Sequence, residues 1–85
     1  MYKVNERILF TQLGEEGVVY DVESNEYQSL NETSFKILKG IENALTEEEI
    51  LTGLLAEYDI SEEACRSELK LALQKLEEKQ IIVNQ

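Results

Sequence analysis

The 85-residue sequence contains no histidine, proline or tryptophan, and it has a single cysteine. Without histidine, the common zinc sites and the Ser-His-Asp or Cys-His nucleophile arrangements cannot form within the chain, which argues against most hydrolases. The lone Cys65 cannot form an internal disulfide, as is typical of the reducing cytoplasm. We therefore predict a cytoplasmic protein that is not a hydrolase of these kinds and has no catalytic residues, metal site or cofactor.

Positive charge is also scarce in this sequence. Eight lysine and arginine residues stand against eighteen aspartate and glutamate residues, and the formal net charge is −10. Nucleic-acid binding depends on neutralising phosphates with lysine and arginine, so we predict no nucleic-acid partner. The negative field favours partners that carry a basic patch. No apolar run reaches the roughly 18 residues that span a bilayer, so we predict no membrane partner.

The remaining composition fits one folded domain over residues 1–85. Hydrophobic residues make up 42% of the sequence, which is too large a share for a disordered chain. No repeat or low-complexity linker divides the chain, and its length suits a single core.

The first thirty residues carry the pattern of three short strands. Residues 8–13, 18–22 and 26–30 are rich in β-branched, aromatic and aliphatic side chains, and a turn is predicted at 14–17. Connections this short cannot make the crossovers of a parallel sheet. The pattern therefore predicts a three-stranded antiparallel sheet.

From residue 31 onward the apolar residues recur at helical spacing. Asn31, Thr46 and Ser61 are good N-cap residues, so we predict three helices that begin after them, the first over about 32–42. Residues 46–49 also match a capping box. The predicted core-facing residues are Phe35, Ile37, Leu38, Ile41, Ile50, Leu51, Leu54, Leu55, Tyr58, Cys65, Leu69, Ala72, Leu73 and Leu76.

Residues 81–83 are apolar and β-branched, which predicts a short closing extended segment. The full order of elements predicts an α+β fold of the winged helix-turn-helix type, in which an N-terminal three-stranded antiparallel sheet precedes three helices. Such folds often place a helix in a DNA groove. The third predicted helix is rich in glutamate, however, and that charge argues against this role.

Three segments of the sequence resemble the pyrroloquinoline quinone synthesis protein D family. Residues 26–38 are similar to the family's lead into its first helix, an aromatic residue followed by any residue, a small residue and Leu-Asn. Residues 46–58 are similar to its Thr-x-x-Glu-Ile second helix, and residues 68–82 follow its later apolar pairs. The resemblance covers about residues 17–84. Residues 18–22 are more similar to the discrete leader-binding proteins of lasso-peptide and related clusters than to the quinone-pathway members.

The resemblance implies a non-catalytic protein that binds the leader peptide of a ribosomally synthesised, post-translationally modified peptide, with the lasso-peptide type favoured. Its implied partners are the precursor's leader peptide and a separate leader protease or other modifying enzyme. The leader would add as an antiparallel strand to the open edge of the third predicted strand, against the third helix. Edge strands offer unpaired backbone groups to such a peptide, and its alternate side chains enter pockets.

The implied leader-binding residues lie on that strand and on one stripe of the third helix. They are Glu26, Tyr27, Gln28, Ser29, Leu30, Ala64, Ser67, Lys70, Leu71 and Gln74. Leu71 is the expected apolar anchor because it lies off the core face, and Lys70 is expected at the rim.

Structural roles are the alternatives for several of these residues. The alternative for Leu71 is an ordinary surface leucine with no ligand. For Tyr27 a place in the sheet core is favoured over a contact with the ligand. The sequence does not decide which face of the third strand is inward. Cys65 is expected to be a small buried hydrophobic residue rather than a reactive thiol.

The alternative function is a winged-helix protein-protein interaction domain, such as a dimerising regulator. A small enzyme is disfavoured because the sequence shows no nucleophile or cofactor motif.

Overall fold

A computed structural model describes all 85 residues of the chain. The three-stranded sheet followed by three helices confirms the predicted α+β class. None of the helices combines the length and apolar character that a membrane crossing requires. The element order is β1 (Tyr2–Val4), β2 (Ile8–Leu13), β3 (Glu16–Asp21), β4 (Glu26–Leu30), α1 (Glu32–Glu42), α2 (Glu47–Glu57), α3 (Glu62–Glu78) and β5 (Ile82–Asn84).

Strands β2, β3 and β4 form the antiparallel sheet in that order, so β2 and β4 are its two edges. A two-residue turn at Gly14 and Glu15 joins β2 to β3. Gly14 has a φ of 64°, which glycine adopts without steric cost. The turn is shorter than the predicted one at 14–17, and β3 therefore begins two residues earlier than expected.

Strand β1 has no counterpart among the strands predicted from the sequence. This strand pairs antiparallel with β5, with Tyr2 opposite Asn84 and Val4 opposite Ile82. The pairing joins opposite ends of the chain, and three residues are too few to show a strand alternation. The closing extended segment predicted at 81–83 is confirmed as β5, one residue further along the chain.

All three predicted helix caps are present. Asn31, Thr46 and Ser61 each accept a hydrogen bond from the backbone amide three residues further on, at 2.8, 3.1 and 3.2 Å. Glu49 Oε1 also accepts a bond from the Thr46 amide at 2.8 Å, which completes the capping box. These bonds satisfy amides that lack an intrahelical partner.

One hydrophobic core lies between the sheet and the helices. The predicted core-facing residues are buried, except that Leu55, Tyr58 and Ala72 are partly buried. The inner face of the sheet adds Ile8, Val19 and Leu30. Helix α1 follows β4 directly and packs beneath the sheet. The outer edge of β4 therefore lies to one side of the helices.

Candidate functional site

The outer edge of β4 is unpaired. On one side β4 pairs with β3, from Asp21 opposite Glu26 to Gly17 opposite Leu30. On its other side β4 has no strand neighbour, and no backbone hydrogen bond within the chain reaches it. Alternate amides and carbonyls of β4 therefore point outward without a partner. This edge is open to an extended peptide.

The structure decides which face of β4 is inward. Leu30 is buried and Gln28 half-buried on the inner face, whereas Tyr27 and Ser29 are exposed on the outer face. Tyr27 is 74% exposed, and its ring packs on that of Tyr20, with 4.6 Å between centroids. The interpretation of Tyr27 as part of the sheet core is therefore wrong.

Helix α3 lines a depression at the C-terminal end of β4, and its C-cap residue Lys79 lines another at the start of β4. The depression beyond the C-terminal end of β4 has a volume of about 280 Å³ and includes Asn31, Thr33 and Ser34. The second depression lies against the start of β4, at Glu26, Tyr27 and Gln28. We call the outer edge of β4 and the facing flank of α3 the edge groove. The flank consists of Glu68, Leu71, Ala72, Lys75 and the C-cap residue Lys79.

The order of these residues gives the direction of the groove. Leu71 and Lys75 line the depression at the end of β4, whereas Lys79 lines the one at its start. Helix α3 therefore runs opposite to β4. A peptide added antiparallel to β4 would run in the same direction as α3.

The structure brings only part of the predicted α3 stripe to this groove. Leu71 is 53% exposed and lines it. Ala64 lies two turns before Leu71 on the same flank, since residues seven apart nearly coincide around a helix. Ser67 and Gln74 are also seven apart, and both are exposed. Around α3 they lie about 60° from Ala64 and Leu71, on the side away from the core.

Lys70 is not at the rim of the edge groove. Its Nζ lies 3.1 Å from Glu47 Oε2, at the start of α2 on the opposite flank of α3. One helical residue turns the direction of a side chain by about 100°, so Lys70 and Leu71 point to different neighbours.

Four residues that line the edge groove were not among the predicted binding residues, namely Glu68, Ala72, Lys75 and Lys79. Glu68, Lys75 and Lys79 lie three, four and eight residues from Leu71, on nearly the same side of the helix, and that spacing was the only available signal. Ala72 follows Leu71 directly and lies about 100° round the helix, toward the core. The spacing could not decide which side of Leu71 faces the strand.

An apolar pocket extends the edge groove beyond the end of β4. Its volume is about 290 Å³, and it shares Thr33 and Glu68 with the adjoining depression. Cys65 is buried in its wall, as expected for a small hydrophobic residue. The other lining residues are Leu54, Tyr58, Asp59, Ile60 and Leu69.

A hydrogen-bonded cluster supports this pocket from behind. Tyr58 Oη donates to Glu32 Oε1 at 2.6 Å, and Lys36 Nζ donates to the same oxygen at 2.9 Å. The Tyr58 bond, followed by the Lys36 bond, lowers the pKa of Glu32. Lys36 also pairs with Glu57, and these bonds raise the pKa of Lys36. The cluster ties the start of α1 to the end of α2.

Two solved structures are similar to this chain over almost their whole length. One is described as TbiB1 in complex with the TbiA(beta) leader peptide. It has a TM-score of 0.90 and 20% identity, and the match covers 98% of this chain and 96% of that one. The other is described as lasso peptide synthetase B1 complexed with the leader peptide. Its TM-score is 0.87 at 19% identity, and the match covers 98% of both chains. These matches show that the fold is shared.

Among curated proteins, no sequence matches this chain. The family profile described as coenzyme PQQ synthesis protein D (PqqD) matches residues 16–82, which is most of the chain. This range nearly coincides with the one over which the resemblance was seen in the sequence. The chain therefore belongs to the coenzyme PQQ synthesis protein D family.

Proposed function

We propose that this protein binds the leader peptide of a ribosomally synthesised, post-translationally modified peptide of the lasso type and catalyses no reaction itself. The observation that carries the proposal is the unpaired outer edge of β4 beside the flank of α3. Family membership supports it, as do the two similar structures, each described as a complex with a leader peptide.

The leader binds as an additional antiparallel strand on β4. Residues 26–30 supply main-chain hydrogen bonds, so their contribution depends little on the leader's sequence. Leader side chains on the inner face point toward α3, where Leu71 and Ala72 contact them. An apolar side chain nearer the leader's N-terminus fills the pocket beside Leu54 and Tyr58. Backbone pairing gives affinity, and these side-chain contacts give specificity.

The bound leader is then presented to a separate enzyme, a leader protease or another modifying enzyme. The chain holds the leader along one edge only, so the rest of the precursor stays accessible to that enzyme. The single buried thiol of Cys65 suits a reducing compartment, and we place the protein in the cytoplasm.

Amide hydrogen exchange tests this mode of binding. The probe is a synthetic leader peptide encoded by a short precursor gene next to the gene for this chain. We expect saturable binding and slower exchange at outward-pointing amides of residues 26–30, with unchanged exchange along residues 8–13 of the other edge. Protection of residues 8–13 instead would overturn the assigned edge. Absence of binding would overturn the proposed function.

The alternative function, a dimerising interaction domain, is favoured by the second open edge at β2. Sedimentation of the free protein at micromolar concentration distinguishes the two functions. A dimer that excludes the leader peptide supports the alternative, whereas a monomer that binds it supports leader recognition.

A further inference from the structure

Two lysines of the edge groove differ from every other basic side chain in the chain. Six of the eight basic residues lie in ion pairs, whereas Lys75 and Lys79 have no carboxylate partner. The paired residues are Lys3, Arg7, Lys36, Lys39, Arg66 and Lys70. In a chain with eighteen acidic residues, two unpaired lysines beside one open edge point to a ligand.

Their spacing matches that of an extended peptide. Lys75 and Lys79 are four residues apart on α3, which places them on one flank with about 6 Å of helix rise between them. In a strand, side chains two residues apart share a face and are separated by about 6.7 Å. Two consecutive inward-facing leader side chains can therefore each reach one lysine.

We propose that the peptide bound in the edge groove carries two carboxylate side chains two residues apart, which pair with Lys75 and Lys79. This inference rests on the proposed function and adds the chemistry of the ligand. Because the peptide runs in the same direction as α3, the partner of Lys75 comes first in its sequence.

Other charged groups at the groove limit where a carboxylate is accepted. Glu68 shares the depression of Lys75, and Glu26 and Asp21 share that of Lys79. Asp21 is already paired with Arg7 at 3.0 Å. Glu68 lies two helical turns before Lys75, so it repels an acidic residue nearer the peptide's N-terminus. The groove therefore selects carboxylates by position, through like-charge repulsion as well as attraction.

The net charge alone predicts the opposite preference. The electrostatic field of a chain with a net charge of −10 favours basic partners over long distances, whereas the two lysines act at contact range. A basic patch on the processing enzyme and an acidic pair in the leader are thus compatible, because they bind different surfaces.

A random peptide library displayed on yeast tests the inference without knowledge of the natural leader. Selection with the parent protein should enrich peptides that carry aspartate or glutamate at two positions two residues apart. Selection with Lys75→Glu/Lys79→Glu should enrich lysine or arginine there. Peptides selected by the parent should bind this double variant about tenfold more weakly.

The matched control is Lys3→Glu/Lys39→Glu, away from the groove, where the two lysine side chains are 44% and 56% exposed. Each replacement changes the charge by two, so both double variants carry −14. The control should retain the acidic preference of the parent. If it loses that preference as well, net charge rather than the groove lysines explains the selection, and the inference is overturned.

The outcomes separate the inference from the proposed function. Peptides that protect the β4 amides but lack the acidic pair would overturn the inference and leave the function standing. If the parent enriches no peptide at all, both fail. Should Lys75→Glu/Lys79→Glu unfold, Lys75→Gln/Lys79→Gln replaces it. That variant should select peptides with no preference for acidic residues, and an unchanged preference would refute the pairing.

Discussion

Gly17 on β3 and Phe35 on α1 fit together so closely that position 17 has no room for a methyl group. An added Cβ would lie 2.8 Å from Phe35 Cγ. The ring of Phe35 also meets that of Phe10 edge-on, with centroids 6.0 Å apart, so it cannot move away freely. This contact fixes how closely α1 approaches the sheet.

We expect Gly17→Ala to lower the free energy of unfolding by about 1–3 kcal/mol, because the added methyl group would overpack the core against Phe35. Urea denaturation measures the change. The control is Gly53→Ala in α2, where an added Cβ meets nothing within 4 Å and the better helix former should stabilise slightly. Combining Gly17→Ala with Phe35→Leu should cost less than the sum of the two single changes. Equal effects of Gly17→Ala and Gly53→Ala would contradict the close fit.

Leu71→Glu should weaken leader binding by about tenfold or more, because it places a charge where an apolar side chain contacts the peptide. Leu71 is exposed, so helical content and stability should change little. Fluorescence anisotropy of a labelled leader peptide measures the affinity. The matched control is Leu9→Glu on the outer face of β2, where leucine is 60% exposed. Parent-like affinity for Leu71→Glu would remove Leu71 from the groove.

Tyr58→Phe should raise the pKa of Glu32 toward its usual value of 4.5, because it removes the largest cause of the lowering. A carboxyl group with a lowered pKa stabilises the fold above pH 4.5, and this contribution is lost as the pH falls through its folded pKa. Tyr58→Phe should therefore lose less stability below pH 4.5 than the parent. Carbon-13 titration of the Glu32 carboxyl group measures the pKa.

Tyr20→Phe serves as the control for this titration, because its hydroxyl bonds to Asn25 and not to Glu32. An unchanged Glu32 titration in Tyr58→Phe would show that the Tyr58 bond does not lower the pKa of Glu32.

Thr46→Ala should lower the free energy of unfolding by about 1 kcal/mol, since it removes one half of the capping box of α2. Thr52→Ala makes the same replacement at an exposed position inside α2. There alanine is the better helix former, so no loss is expected. Thermal unfolding followed by circular dichroism compares the two variants. An equal loss from both would show that the cap adds nothing.

The fold could be predicted where its signals are local. Helix caps, the capping box and apolar stripes depend on residues three or four apart, and the structure confirms all of them. The pairing of β1 with β5 depends on opposite ends of the chain, so no short window of sequence contains it. The early start of β3 was missed because Gly14 and Gly17 together predict a turn that spans both, and only strand pairing shows that the turn ends at Glu15.

The candidate site was predictable in outline only. Strand residues 26–30 at an open edge and an exposed Leu71 followed from the sequence and the family resemblance, and the structure places both beside one groove. Which flank of α3 faces the strand is set by the packing of α2 and α1. Lys70 therefore faces Glu47, and the unpaired Lys75 could not be distinguished from the other lysines.

The sheet has a second unpaired edge at β2, so copies of the chain can associate by pairing unlike edges. If β2 of one copy joins β4 of the next, the contact is head-to-tail, and it propagates as a filament wherever its rotation does not close a ring. A peptide seated on β4 takes one of the two joining surfaces away. A copy whose β4 holds the peptide cannot accept β2 of another copy at that edge. Ligand binding therefore stops growth of the assembly at that copy.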